Sequence, residues 1–182
     1  MTVGGKTMFL TVGTGTTEDL CGSLLIPLKK SILKGKWEEV VLLPSQETAH
    51  SARLICDELQ DVRLTVSALP EAGQENNADQ AYAHFEKVIA ERIARGISPV
   101  RMVADFTRGT KAMSAALVLA AARHGIPKLR YITGQRNSSG SVRAGTEVVS
   151  EFATSTASGH RLLDQARLAM EKGNFAAVLD IL

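Results

Sequence analysis

Apolar residues along this chain follow two rhythms. Short β-type runs, at Met8–Val12, Val40–Leu43, Leu64–Val66, Val100–Ala104 and Leu129–Ile132, have the length and content of strands in a sheet covered on both faces. Between them, apolar positions recur at helical spacing over Glu18–Leu33, Glu47–Leu59, Asp79–Arg95 and Thr110–His124. Gly35, Gly96 and Gly125 fall where these helices should stop, and Pro27 is expected to kink the first. Strands that alternate with crossover-length helices predict an α/β fold, a three-layer sandwich whose sheet is mostly parallel. After Ile132 the rhythm changes. A polar connection, Gly134–Ser141, leads to a last strand near Glu147–Phe152, which predicts a C-terminal antiparallel hairpin. From His160 the pattern is again helical, over Arg161–Glu171 and then from Phe175, and it stops mid-pattern at Leu182. The expected organisation is one α/β domain over residues 1–155 and a short helical tail over 156–182 that starts a further domain.

Composition narrows the function classes. With 182 residues, 45% of them hydrophobic, the chain can bury one substantial core. A net charge of +2 argues against a protein held to nucleic acid mainly by phosphate contacts. Cys21 and Cys56 lie in helical segments without metal-ligand spacing, which predicts reduced thiols, a cytoplasmic setting and no structural zinc. Met1–Lys6 lacks the pattern of a secretory leader, and the small apolar run Ala115–Ala122 is too short to span a bilayer.

The candidate chemistry concentrates in Val103-Ala-Asp-Phe-Thr-Arg-Gly-Thr-Lys-Ala-Met113, where an apolar run ends in a carboxylate and opens into an Ala-rich helix. Thr107, Arg108, Gly109, Thr110 and Lys111 combine first-turn amides, hydroxyls, cations and a glycine, a set suited to a phosphodiester or ribose. Lys111 stands out, because a cation in the first turn opposes the helix dipole unless an anion sits beside it. Asp105 has three readings: a general base, a ribose acceptor, or a brace that accepts the amide protons of the turn, which is favoured. The first strand delivers Gly13, Thr14, Gly15, Thr16 and Thr17, a second candidate anion turn, although Glu18 spoils a dinucleotide fingerprint and disfavours an NAD(P) site. Ser45, Gln46, Asn76 and Asn77, with Thr133 and Gly134, end other strands at the same edge. Capping explains Ser45 adequately, and the amides could instead read a base edge. The four histidines are scattered, and no metal site or hydrolase motif is present in the sequence.

Residues Asp105–Met113, preceded in the right order by the Gly13–Thr17 turn, resemble the CARF domains of type III CRISPR systems, the Rossmann-like sensors of Csm6/Csx1-type ribonucleases. The likeness covers about Thr7–Phe152. It implies a homodimer whose facing crevices share one cyclic oligoadenylate, of four or six adenylates, with no other cofactor. Gly13–Thr17 and Arg108–Lys111 would then contact phosphates and riboses, and Ser45, Gln46, Asn76 and Thr133 would line adenine pockets. The tail resembles a linker to a HEPN ribonuclease domain. Some such domains also cut their ligand without metal; Thr14, Thr16, Arg108 and Lys111 are the donors that a ring nuclease would use here.

Overall fold

The computed structural model describes residues 5–14, 24–135, 142–143, 145–154, 166–176 and 178. Its six strands are β1 (Thr7–Val12), β2 (Glu39–Pro44), β3 (Leu64–Val66), β4 (Met102–Asp105), β5 (Lys128–Thr133) and β6 (Val148–Ala153). The helices are α1 (Ile26–Leu33), α2 (Ala49–Glu58), α3 (Ala78–Ala94) and α4 (Lys111–Arg123). One sheet runs in the order β3-β2-β1-β4-β5-β6; every pairing is parallel except β5 with β6. The α/β sandwich and its C-terminal antiparallel hairpin are therefore as the hydrophobic rhythm predicts.

The two-sided burial of β1 explains why its apolar residues do not alternate with exposed polar ones. Met8, Leu10 and Val12 pack with Leu28 and Ile32 of α1 and Ala52 and Ile55 of α2. Phe9 points the other way, into a cluster with Phe85 and Ile89 of α3 and Leu117 and Ala121 of α4. All of these residues are fully buried, so the apolar side chains of the strand add area to one or the other of two cores.

The boundaries depart from the sequence reading where a turn intervenes. Val100 is not in a strand: Pro99–Arg101 forms a 3-10 turn that leaves Val100 72% exposed, and β4 starts at Met102. Proline presets the first position of such a turn and cannot donate to a ladder. The second helix starts at Ala49 rather than Glu47, because the Ser45–Thr48 turn comes first. Pro27 lies at the start of α1, where the winding changes from a π turn at Leu24-Leu25 to α; the segment 18–23 of that expected helix lies outside the described residues. Gly96 and Gly125 end α3 and α4 with positive φ, as expected. Of the tail, residues 166–171 are helical, and most of the rest lies outside the described residues. Among the described residues no helix is long and apolar enough to cross a membrane.

Candidate functional site

The strand order places a topological switch point between β1 and β4. The chain leaves β1 toward β2 on one side and leaves β4 toward β5 on the other, so the loops after these two strands part and leave a crevice at their carboxyl ends. The crevice encloses about 370 Å³, within the usual range for small-molecule sites. Gly13 and Thr14 line it from β1, Ser45, Glu47 and Thr48 from the loop after β2, and Glu75 and Asn76 from the loop after β3. Thr107, Arg108, Gly109, Thr110 and Met113 complete it from β4 and α4.

Two glycines let the first and last of these loops touch. A Cβ on Gly13 would stand 2.5 Å from the amide nitrogen of Gly109 and 2.8 Å from its Cα. Gly109 has φ +123°, a conformation that side chains disfavour, and faces Thr11. The glycines serve the contact between the two turns, whatever room they also leave for a ligand.

Asp105 is the brace of the second turn. It is fully buried, its Oδ1 accepting from the backbone N–H of Thr107 at 2.8 Å and from the Thr107 hydroxyl, and its Oδ2 accepting from the hydroxyl of Ser31. Burial pushes its carboxyl above the ordinary range, against those hydrogen bonds and the nearby Arg130 charge. Asp105 is not part of the crevice lining and its oxygens are engaged by the turn, so its contribution is to shape that turn. Thr107 is similarly committed, since its hydroxyl also accepts from the N–H of Ile132 at 2.9 Å.

Ser45 and Thr48 lock each other. Ser45 Oγ accepts from Thr48 N–H at 3.2 Å, Thr48 Oγ1 accepts from Ser45 N–H at 2.9 Å, and the Thr48 hydroxyl donates to the carbonyl of Val12 at 2.7 Å. Both are 3% exposed, so they tie the β2 loop to the end of β1. Gln46 turns away from the crevice, donating its amide to the carbonyls of Leu69 and Pro70 at 2.6 and 3.1 Å. Asn77 caps α3 by accepting from Asp79 and Gln80, and only Asn76 reaches the crevice. Thr133 and Gly134 sit at the end of β5 beside the β6 hairpin, where a Cβ on Gly134 would strike Val142 at 2.6 Å; they do not line the crevice. Arg108 lines it half-buried, whereas Lys111, the first residue of α4, is exposed and outside its lining. Gly15, Thr16 and Thr17 lie outside the described residues.

Sequence reasoning missed Glu75. It occupies a 3-10 turn, Gln74–Asn76, entered through Gly73 at φ +88°. That turn is held to α4 by Thr110, whose hydroxyl donates to the Glu75 carbonyl while accepting from Met113 N–H at 3.1 Å. Glu75 is 8% exposed. No pattern marks an isolated glutamate in a polar loop as buried; only the docking of this loop on α4 makes it so.

No family model matches the chain, and no curated protein matches it. Solved structures do. Csm6 of Enterococcus italicus, bound to cyclic hexa-2′-fluoro-hexa-dAMP, matches with a TM-score of 0.72 at 11% identity, over 98% of this chain and 49% of that one. A type III CRISPR defence DNA nuclease activated by cyclic oligoadenylate matches with a TM-score of 0.53 at 22% identity, over 72% of this chain and 19% of that one. Can2 of Sulfobacillus thermosulfidooxidans, in complex with cyclic tetra-adenylate, matches with a TM-score of 0.50 at 14% identity, over 70% and 31%. The chain thus shares a fold with these proteins and spans half or less of their length.

Proposed function

We propose that this chain is a cyclic oligoadenylate sensor of a type III CRISPR effector. The observation that carries the reading is the pair of turns, Gly13-Thr14 and Thr107–Thr110, brought into backbone contact at the β1/β4 switch point, with Arg108 beside them. Backbone amides, the Thr14 hydroxyl and one guanidinium at the carboxyl edge of a parallel sheet suit a phosphodiester. The likeness to three proteins that are bound to or activated by cyclic oligoadenylates supports that class for the anion.

In this reading residues 1–155 bind the ring, and two copies of the chain share it across a two-fold axis, since a cyclic oligomer and a homodimer have matching symmetry. Binding favours one arrangement of the dimer, and residues 156–182 pass the change to an effector domain, a HEPN ribonuclease. A cytoplasmic location accompanies that role. Thr14 and Arg108 both face the crevice, which supports a second reading as a slow, metal-independent ring nuclease. That reaction would rest on in-line positioning of a 2′-hydroxyl and on those donors, with Thr16 and Lys111 as further candidates.

The test is incubation of the purified chain with cyclic tri-, tetra- and hexa-adenylate in EDTA, following thermal shift and ligand integrity in the same samples. A selective shift with intact ring supports the sensor. Conversion to linear adenylates supports the nuclease, and no shift with any ring refutes both.

A further inference from the structure

Glu75 lines the crevice and carries a buried acceptor without a donor to match it. Its Oε1 accepts from the Asn76 side-chain amide at 3.1 Å, while its Oε2 is buried and has no hydrogen-bond partner among the described residues. Leaving a buried acceptor unmet is costly, the more so for a carboxylate, so a bound ligand that supplies an N–H or O–H here gains strength from the defect. A phosphate does not fit, because like charges at contact distance repel. The turn is held in place beforehand by Gly73 and by the Thr110 hydroxyl on the Glu75 carbonyl.

We infer that Glu75 is the residue that selects a 6-amino purine over a 6-oxo purine in this crevice; the inference rests on the ring-binding reading above. The free Oε2 is an acceptor, and the Asn76 amide next to it is a donor with a second N–H to offer. Adenine presents the complement, an exocyclic amine that donates beside a ring nitrogen that accepts. Hypoxanthine reverses the first partner, setting its O6 against the carboxylate. A ribose of a 3′,5′-linked ring fits less well, since it brings one free hydroxyl, a single-point contact, where adenine brings a donor and an acceptor on separate atoms.

The experiment measures affinity by calorimetry for cyclic tetra- and hexa-adenylate and for the same rings built from inosine, with the wild-type chain and with Glu75→Gln. Wild type should prefer the adenylate ring by about 10-fold or more, the discrimination of a good two-point base contact. In Glu75→Gln the new amide keeps its oxygen toward Asn76 and turns its N–H to the ligand. Adenylate affinity should fall about 10-fold or more and the preference should narrow or invert. A wild type that binds both rings equally overturns the inference without any variant. A folded Glu75→Gln chain that weakens both rings equally overturns it too, pointing to a ribose contact. Wild-type failure to bind any adenylate ring refutes the ring-binding reading itself, which separates the two outcomes.

Discussion

Replacing Gly13 by alanine tests whether the crevice is built by contact between its two turns. The added methyl would sit 2.5 Å from Gly109 N and 2.8 Å from Gly109 Cα. Both are backbone atoms of the turn that joins β4 to α4, and Gly13 directly follows β1, the strand paired with β4, so neither can swing aside as a side-chain tip would. Relief requires the turns to part by close to an ångström, and overpacking of this kind costs about 1–3 kcal/mol. For a chain of this size about 2 kcal/mol lowers Tm by roughly 4–8 °C. The loss should be independent of ligand, because the clash is within the protein. Differential scanning calorimetry of wild type and Gly13→Ala, each with and without a cyclic oligoadenylate, measures it. A variant that melts within about 1 °C of wild type yet no longer binds the ring would refute the reasoning: the position would then be kept open for the ligand and not for the neighbouring turn.

Asp105→Ala should cost about 3 kcal/mol by stranding the hydroxyl of Ser31 and the N–H and hydroxyl of Thr107, whereas Asp105→Asn, which keeps an acceptor for Thr107, should lie within about 1 kcal/mol of wild type at pH 7 by urea denaturation. Because burial raises the native Asp105 carboxyl above its ordinary value of 3.8, the native state holds its proton more tightly than the unfolded chain. Wild type should therefore gain on Asp105→Asn as pH falls through the native value toward 3.8, and a gap that stays constant would contradict this. His84 has the opposite sense: burial holds its imidazole below 6.5, so its contribution is present above pH 6.5 and lost as pH falls through the native value. His84→Gln should flatten that part of the Tm–pH curve, and an unchanged slope would count against the burial of this ring as its cause.

The sequence determined the elements. The consecutive apolar residues Met8–Leu10 of β1 and Val40–Leu43 of β2 predict strands covered on both faces, and that is how Met8 and Phe9, and Val40 and Val41, divide between the two cores. Asn77 and Thr110 mark the starts of α3 and α4 through side chains that bond within the next turn. The order of chemistry along the chain also identified the turns after β1 and β4, because a glycine and hydroxyls between a strand and a helix have few uses. Tertiary structure decided which of the polar residues at that edge face one another. Gln46 and Asn76 look alike as sequence, two amides in loops after neighbouring strands. Gln46 donates to the carbonyls of Leu69 and Pro70, while the docking of the Gln74–Asn76 turn on Thr110 turns Asn76 and Glu75 into the crevice. The same docking buries the Glu75 carboxylate, and the packing of β1 against β4 sets Gly13 on Gly109. Periodicity reports whether a side chain is inside or outside its own element, a local property. Which loops meet at a sheet edge depends on strand order, and strand order is fixed by contacts between residues far apart in the chain.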